Sequence, residues 1–378
     1  MSKLVSLFVL SLSFFVALAQ AEPAPAAPEL AVKAYYLKDF NSGMALAEKQ
    51  SQDRVEPASL TKIMTAYLSF KALKNGKLKL EQTLPISEKA WRVEGSKMFV
   101  DTTMTVTVDE LLHGMIIQSG NDASIALAEG IAVTEEAFAA MMNKEAARLG
   151  MKNTHYMNAT GLPDAQHYTT AYDLSLLATA LIRDFPDQYK RLYSVKEYTY
   201  NKITQPNRNR LLWVDPSVDG MKTGHTDSAG FCLISSAKRG EHRLISVVLG
   251  AENDNARAAE SKKLLDYGFN FFESTLVYKA GQTIQTQKVW KGAENTIAAT
   301  FPVDLYVTLP KGEYKRVKAK VLSKQRLIAP IAAGQEVGTI QFTLDGKVID
   351  QRPLVAAKEV PVAGIFGRLF DSIRLLFA

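Results

Sequence analysis

Apolar positions in the first three quarters of the chain follow two spacings, one typical of strands and one typical of helices. Strand-like runs come first and last: a hairpin that turns at Asn41-Ser42-Gly43, and the segments SVDGMKTGHT, AGFCLISSAKR and HRLISVVLGA. Helical spacing dominates between them, around residues 60–74, 108–131, 134–149 and 171–184, and returns in NARAAESKKLLDYGFNFFES. This order predicts an α/β (α+β) fold in which one antiparallel sheet is flanked by helices.

The pattern changes near residue 281, where helical periodicity ends. Short β-branched runs follow, separated by Gly, Pro and Asp turns: TIQTQKVW, DLYVTL, RVKAKVL and TIQFTLDGKVID. Asp345-Gly346 in the last run is a strong hairpin signal. The sequence therefore predicts a larger domain over residues 31–280 and a small all-β sandwich over residues 281–360.

Residues 361–378 have helical spacing with one apolar face. That face comprises Ile365, Phe366, Leu369, Phe370, Ile373, Leu376 and Phe377. The segment is shorter than a membrane-spanning helix. Its aromatic residues and two arginines suit an amphipathic helix lying in a membrane interface. A helix docked on its own domain is the alternative, and the terminal position after Pro361 favours the membrane.

The N-terminus resembles an export signal. Lys3 precedes an apolar run from Leu4 to Leu18, and Ala19-Gln20-Ala21 forms a small-x-small cleavage site. Residues 1–21 are therefore predicted to be a signal peptide, and residues 22–30 a flexible, Pro/Ala-rich start of the mature chain. The apolar run is short for a membrane span, so an uncleaved anchor is the less favoured interpretation.

Composition narrows the class of protein. The 378 residues are 47% hydrophobic and 22% charged, which is typical of a globular protein. The net charge of +6 comes from Lys and Arg spread along the chain, so no nucleic-acid-binding footprint is predicted. Cys232, the one cysteine of the sequence, excludes an internal disulfide and lies in an apolar run, where a buried and inert thiol is expected. Export without a disulfide suits a periplasmic protein with a large core.

Candidate chemistry begins in the segment VEPASLTKIMTAYL, which predicts an amphipathic helix. Ser59 lies at its start and Lys62 one turn later on the same face. Ser59 could be an ordinary helix cap. It could instead be a nucleophile, if a base accepts its proton. Lys62 would suit that role with a lowered pKa, which the positive end of the helix and a second nearby ammonium would favour.

A second Ser-x-x-Lys match, Ser235 and Lys238, lies on a predicted strand. Residues three apart on a strand point to opposite faces, so these two side chains cannot form such a pair.

Two further short motifs carry polar groups that could meet Ser59. Ser119-Gly120-Asn121 lies between two helical runs, where a loop can present side chains to a cleft. Lys222-Thr223-Gly224 lies on a predicted strand, and Gly224 would let another backbone, such as a bound peptide, approach closely. Taken singly, each motif also fits a structural role, as a loop cap or as a surface lysine before a turn.

Together, in this order, the motifs resemble the Ser-x-x-Lys, Ser-Asp-Asn and Lys-Thr-Gly set of penicillin-binding proteins and β-lactamases. The chain is similar to the low-molecular-mass D-alanyl-D-alanine carboxypeptidases of the penicillin-binding protein 5 and 6 type. The resemblance is carried by PASLTKIMTAYL, QSGNDA, GMKNTH, NRNRLLW, VDGMKTGHTDSAGF, AAESKKLL, DGKVIDQRPLV and FGRLFDSIRLLFA. It covers nearly the whole mature chain and implies the penicillin-binding, β-lactamase-like transpeptidase fold for residues 31–280.

The resemblance also implies roles for the motif residues. Ser59 would be the acylated nucleophile and Lys62 its proton acceptor. Ser119 would relay a proton to the leaving amine, and Asn121 would hold substrate amides. Lys222 would stabilise Ser119 and the negative end of the substrate.

Further groups would bind the substrate. The main-chain N–H groups of Ser59 and His225 would form the oxyanion hole, since the tetrahedral intermediate needs fixed donors. Thr223 and Gly224 would line the binding strand. Arg257 and Arg208 match family arginines and could pair with a terminal carboxylate or be structural.

The implied activity is removal of the terminal D-alanine from peptidoglycan pentapeptide stems, with β-lactam antibiotics as covalent inhibitors. No metal or organic cofactor is implied. The implied location is the periplasm of a Gram-negative-type bacterium, peripheral on the outer face of the inner membrane through the C-terminal helix. The oligomeric state is not predicted.

Rival functions on the same scaffold are a β-lactamase, a D,D-endopeptidase, or a non-catalytic module that binds the cell wall and maintains shape. Gly120 replaces the Asp of the general motif, a variant of the carboxypeptidase group. An efficient class A β-lactamase needs a glutamate on a loop beside the site. The corresponding segment here, MNATGLPDAQHYTTAYDLSLL, offers only Asp164 and Asp173, and Asp173 is placed to help cap a helix after Thr170.

Overall fold

The computed structural model describes residues 25–323 and 326–376 of the chain. The predicted signal peptide, residues 1–21, lies outside the described residues. Residues 25–30 form neither helix nor strand, and the main-chain oxygens of Pro25 and Glu29 accept hydrogen bonds from Tyr267 and Lys263. This described part of the predicted flexible start is therefore held against the first domain.

The first domain begins with strands, continues with helices and returns to strands. Its first half contains β1 (Ala34–Asp39), β2 (Ala45–Lys49), α1 (Lys62–Lys74), β3 (Thr83–Leu84), α2 (Glu88–Arg92), β4 (Val106–Thr107), α3 (Val108–Ile117), α4 (Asn121–Ala132), α5 (Glu135–Arg148) and α6 (Ala171–Asp184). Its second half contains α7 (Pro186–Leu192), β5 (Glu197–Tyr200), β6 (Ile203–Pro206), α8 (Leu211–Val214), β7 (Val218–Thr226), β8 (Gly230–Arg239), β9 (His242–Ala251) and α9 (Asp254–Phe271).

Five of these strands form one antiparallel sheet in the order β2-β1-β9-β8-β7, which confirms the predicted architecture. Alternate residues of β9 face opposite ways: Ile245 and Val247 join a core with α1 and α6, while Leu244 and Val248 join a second core with α9. The period of two along a strand is what gives the sheet two apolar faces. β7 is an edge strand of this sheet, and its free edge borders the cleft described below.

Polar side chains begin several helices. Thr107, Thr134, Thr170 and Asn253 each accept a hydrogen bond from the main-chain N–H three residues further on. Helix α1 is different, because it continues from a 3-10 turn, Ala58–Thr61, and has no side-chain cap. The hydroxyl of Ser59 is therefore not used to cap this helix.

The second domain is built from strands, as predicted. They are β10 (Phe272–Tyr278), β11 (Gln285–Trp290), β12 (Thr296–Thr300), β13 (Leu305–Pro310), β14 (Val317–Ser323), β15 (Leu327–Ile328), β16 (Glu336–Leu344) and β17 (Lys347–Ala356). Six of them form a sheet in the order β14-β16-β17-β12-β11-β15, and β10 pairs with β13. The predicted hairpin at Asp345-Gly346 joins β16 to β17, with both turn residues at positive φ.

Asp39, at the end of β1, lies where the two domains meet. Its carboxylate accepts hydrogen bonds from the hydroxyls of Ser42 (2.8 Å) and Ser274 on β10 (3.2 Å). The Ser42 hydroxyl lies 2.7 Å from that of Thr308 on β13, and Arg352 on β17 donates to the Ser42 carbonyl at 3.2 Å. These polar contacts attach the second domain to the β1–β2 turn.

The last described element is α10 (Ile365–Arg374). Asp371 links this helix to the second domain, because its carboxylate accepts a hydrogen bond from the Lys291 N–H at 2.6 Å. Its apolar face stays exposed, and Phe366 is 88% accessible. Within residues 25–323 and 326–376, no helix is both long enough and apolar enough to cross a membrane.

Candidate active site

Ser59 and Lys62, predicted to share a helix face, are in direct contact. Ser59 lies in the 3-10 turn that leads into α1, and Lys62 is the first residue of α1. The Lys62 ammonium nitrogen Nζ lies 3.0 Å from Ser59 Oγ. The second Ser-x-x-Lys match, on β8, forms no such pair, as predicted: Ser235 is buried, whereas Lys238 is exposed.

Lys62 is almost completely enclosed, with 1% of its surface exposed. Its Nζ also contacts Asn121 Oδ1 at 2.7 Å and the Thr160 main-chain oxygen at 2.5 Å. Burial, followed by the positive charge of Arg208, lowers the pKa of Lys62 to about 7. Nearby carboxylates oppose this shift without cancelling it. The amine is therefore neutral part of the time near physiological pH.

The main cause of this low pKa differs from the one expected from sequence, which was the helix N-terminus and a second ammonium. Helix α1 was predicted to be amphipathic, but ten of its thirteen residues are buried, because it runs through the centre of the domain. A lysine at its start is consequently removed from water. Desolvation, rather than the helix dipole, dominates.

The second motif, Ser119-Gly120-Asn121, lies at the junction of α3 and α4, next to the contact between Ser59 and Lys62. Ser119 has a positive φ of 68°, and its Oγ accepts a hydrogen bond from Lys222 Nζ at 2.8 Å. Asn121 begins α4 and places its amide oxygen against Lys62. The predicted polar loop therefore supplies one neighbour to each of the two lysines.

A loop that the sequence analysis missed holds this second motif in place. The Asn121 side chain donates to the Glu94 carbonyl at 2.6 Å. The buried Asp122 carboxylate accepts the main-chain N–H groups of Met98 (3.0 Å), Phe99 (2.9 Å) and Val100 (3.3 Å). An aspartate directly after the motif was the available signal, since a carboxylate can satisfy several exposed N–H groups of a loop.

The third motif lies on the edge strand β7. Lys222 is buried, and burial together with Lys62 and two arginines holds its pKa well below the usual range. A Cβ at Gly224 would lie 3.2 Å from the Leu60 nitrogen and 3.3 Å from Ala58 Cβ. The Ser59 turn therefore makes the close backbone approach that was predicted at Gly224.

The two arginines differ in their surroundings. Arg257 is buried, forms an ion pair with Asp254, and lies 3.4 Å from the Gly224 carbonyl and 3.5 Å from that of Arg208. Arg208 is exposed at the rim. Both line the cleft, together with the exposed Arg210, which pairs with Asp254 at 2.9 Å and was not predicted.

These groups surround one open cleft of about 630 Å³. It is lined by Ser59, Gly95, Ser96, Ser119, Asn121, Thr160, Gly161, Leu162, Pro206, Asn207, Arg208, Arg210, Thr223, Gly224, His225, Thr226, Phe231, Asp254 and Arg257. Lys62 and Lys222 lie beneath its floor. The structure thus brings every predicted site residue to this cleft or directly under it, and it adds the Thr160-Gly161 turn.

The two aspartates of the bordering segment do not reach the cleft. Asp173 is buried, and its carboxylate accepts from the Asn153 N–H (2.8 Å) and the Thr154 hydroxyl (2.7 Å). Its main-chain N–H is bound by the capping Thr170, as the spacing suggested. Asp164 is exposed and binds its own loop. Among the described residues lining the cleft, Asp254 is the one carboxylate, and it is paired with arginines.

Comparison with known proteins shows which family this chain resembles. A family model described as D-alanyl-D-alanine carboxypeptidase matches residues 21–253, and one for the C-terminal domain of penicillin-binding protein 5 matches residues 272–362. D-alanyl-D-alanine carboxypeptidase DacA of Escherichia coli K12 is 44% identical over 361 residues, which is 93% of this chain and 89% of the relative.

Solved structures of penicillin-binding proteins have a similar fold. Penicillin-binding protein 5 from Haemophilus influenzae has a TM-score of 0.85 at 42% identity, covering 89% of this chain and 99% of that one. Penicillin-binding protein D2 from Listeria monocytogenes, in an ampicillin-bound form, has a TM-score of 0.60 at 31% identity, covering 65% of this chain and 100% of that one. The predicted transpeptidase-like fold is thereby confirmed.

Gly161 offers a test of how tightly the Ser59 turn is held. Gly161 has a φ of +85°, and a Cβ there would overlap the Ala58 main-chain oxygen. Gly150 has a similar φ of +80° with open space around it. We expect Gly150→Ala to cost about 1 kcal/mol from backbone strain alone. Gly161→Ala should cost at least about 2 kcal/mol more, because the overlap is with main chain. Urea unfolding measures both, and equal losses would contradict the tight contact.

Proposed function

The chain belongs to the family of serine-type D-alanyl-D-alanine carboxypeptidases, and from that premise we propose that it removes the terminal D-alanine from peptidoglycan pentapeptide stems through an ester on Ser59. The observation that carries the proposal is the contact between the Ser59 hydroxyl and a buried Lys62 amine of lowered pKa. A serine hydroxyl needs such a proton acceptor to become nucleophilic.

In the first half-reaction, neutral Lys62 accepts the Ser59 proton while Oγ forms a bond to the carbonyl carbon of the penultimate D-alanine. The main-chain N–H groups of Ser59 and His225 are proposed to stabilise the resulting oxyanion, and both residues line the cleft. The C–N bond to the terminal D-alanine then breaks. Its nitrogen receives the proton that Lys62 took from Ser59, relayed by the Ser119 hydroxyl, which Lys222 contacts at 2.8 Å.

In the second half-reaction, a water oxygen bonds to the ester carbonyl carbon, the bond from that carbon to Ser59 Oγ breaks, and a proton of the water passes to Oγ. The shortened stem is then released. The substrate is proposed to lie along β7, because this strand ends the sheet and an extended peptide can pair with such an edge. The leaving carboxylate would meet the cationic end of the cleft. Exposed Arg208 is better placed for this than Arg257, whose guanidinium is already paired with Asp254.

The rival functions receive less support. A class A β-lactamase activates its deacylating water with a loop glutamate, whereas Asp254, the cleft carboxylate among the described residues, is occupied by arginines. We therefore propose that β-lactams acylate Ser59 and that the adduct persists. A non-catalytic binding module would have no need for two buried lysines beside two serine hydroxyls, since burying charge is costly.

We further propose that the protein acts in the periplasm, as a peripheral protein on the outer face of the inner membrane. The exposed apolar face of α10 supports this attachment. The second domain, which begins at β10, would then hold the catalytic domain away from the lipid surface.

Mass spectrometry after brief treatment with benzylpenicillin tests the nucleophile. We expect one adduct, located on Ser59, that is lost much more slowly than a D-Ala-D-Ala peptide is turned over. Ser59→Ala should abolish both the adduct and peptide hydrolysis. Ser235→Ala, which alters the serine of the second Ser-x-x-Lys match, should retain both. An adduct on another serine, or unchanged hydrolysis by Ser59→Ala, would end the proposal.

The rate of acylation should depend on pH through Lys62. Only the neutral amine accepts a proton, so the rate should rise with pH and reach half its maximum near pH 7, where Lys62 loses its charge. Labelling with a fluorescent penicillin between pH 5.5 and 9 measures this profile. Lys62→Arg should be inactive throughout, because a guanidinium stays protonated. A flat profile for the wild-type protein would contradict the role of Lys62.

Attachment through α10 predicts loss of lipid binding when its apolar face is made acidic. Phe366→Glu combined with Phe370→Glu should abolish co-sedimentation with vesicles of phosphatidylglycerol and phosphatidylcholine, while penicillin acylation is retained. The matched double change to leucine keeps the face apolar and should retain most binding. Equal binding by the two variants would place the helix against the protein instead.

A further inference from the structure

The Lys62 amine has three polar neighbours, and they are of two kinds. Asn121 Oδ1 (2.7 Å) and the Thr160 carbonyl oxygen (2.5 Å) can only accept hydrogen bonds. Ser59 Oγ (3.0 Å) can either donate or accept. A neutral amine has two N–H bonds and one lone pair. When its two hydrogens point to the two obligate acceptors, the lone pair is left facing the Ser59 hydroxyl, which is the orientation that a base requires.

The first acceptor is fixed by its own contacts. The Asn121 side-chain NH₂ donates to the Glu94 carbonyl at 2.6 Å. Rotating the amide by half a turn would set its oxygen against the Glu94 carbonyl oxygen, and the hydrogen bond to that carbonyl would be lost. The amide oxygen therefore faces Lys62.

The second acceptor, the Thr160 carbonyl, belongs to a turn built around one side chain, Asn158. Asn158 Oδ1 accepts hydrogen bonds from the Thr160 N–H (3.2 Å), the Thr160 hydroxyl (2.9 Å) and the Gly161 N–H (2.7 Å). Asn158 Nδ2 donates to the Leu162 carbonyl at 3.0 Å. These bonds constrain the peptide unit that contains the Thr160 carbonyl and the peptide unit before it. Asparagine amides replace missing backbone partners in turns in this way.

We propose that Asn158 is a positioning residue for acyl transfer: it fixes the Thr160 carbonyl so that the lone pair of neutral Lys62 is directed at Ser59. Asn158 lines a neighbouring cavity with Lys89 and Glu135, and it is not among the residues lining the cleft. It therefore acts through Lys62 without touching the substrate. The inference rests on the proposed function, because it assigns a geometric origin to the base of that reaction.

Loss of this constraint has a direct consequence. If the Thr160 carbonyl moves away, one Lys62 hydrogen can stay on Asn121 Oδ1, and the partner left for the other hydrogen is Ser59 Oγ. The amine would then donate to the serine instead of accepting from it, and the serine proton would have no acceptor. Misplacement of a catalytic group by about 1 Å can cost up to about 100-fold in rate.

The test compares Asn158→Ala with a matched control in the same segment. Asn143 holds Tyr156 through two hydrogen bonds of 2.8 Å, to its N–H and its carbonyl, and makes no contact with Lys62. We expect Asn158→Ala to lower penicillin acylation and the kcat of peptide hydrolysis at least tenfold, with KM nearly unchanged. Asn143→Ala should keep both rates within threefold, and thermal unfolding of both variants reports their losses of stability.

A conservative variant separates positioning from stability. Asn158→Asp keeps an acceptor for the three bonds and adds a negative charge near Lys62, where Asp122, Glu135, Arg208 and Lys222 are the existing charges. An added anion raises the pKa of a lysine. The acylation profile of Asn158→Asp should therefore move to higher pH and approach the wild-type rate at pH 9, while Asn158→Ala stays slow at every pH.

Three outcomes would overturn the inference. They are a wild-type rate for Asn158→Ala, equal rate losses for Asn158→Ala and Asn143→Ala, and an Asn158→Asp that stays as slow as Asn158→Ala at pH 9. Failure of the proposed function is separately visible, because it would appear in the wild-type protein as no penicillin adduct on Ser59.

Discussion

The removal of one ammonium group from water is the constraint on which the rest of the site depends. Lys62 has a pKa of about 7 in place of 10.5, so folding disfavours its charged form by roughly 5 kcal/mol. At neutral pH this is a substantial share of the net stability of an ordinary domain. The core around α1 offsets it, since each fully buried Leu, Ile, Met or Phe contributes about 1.5–3 kcal/mol. A buried lysine with so low a pKa therefore depends on a large apolar core, and here a central helix holds it.

The same burial explains why the walls of the cleft are made of close main-chain contacts. Gly161 and Gly224 each bring a neighbouring segment against the turn that carries Ser59, one from the Asn158 turn and one from β7. Side chains at these positions would separate the segments and admit water beside Lys62. Excluding water raises the strength of each remaining electrostatic contact. The two glycines thus support the chemistry through the dielectric as well as through shape.

Much of this organisation could be predicted from the sequence, because it follows from periodicity and from short motifs. The antiparallel sheet, the all-β second domain and the pairing of Ser59 with Lys62 depend on local spacing. The Thr160 carbonyl could not be predicted, since every residue carries a carbonyl and only the fold decides which one faces Lys62. The predicted cause of the lowered Lys62 pKa, the helix N-terminus and a second ammonium, was not the main one. Apolar spacing along one face of α1 does not reveal that the opposite face is buried too.

The two ends of the main sheet serve different purposes, and this separation is the last consequence of its topology. The second domain is attached at the β1–β2 turn through Asp39, while the cleft is formed along β7, the opposite edge. Four strand spacings of about 4.8 Å place β2 and β7 roughly 19 Å apart. The contacts that hold the second domain and the groups of the cleft are therefore separated by the width of the sheet. The proposed attachment through α10 would therefore act at the edge of the sheet opposite the contact between Lys62 and Ser59.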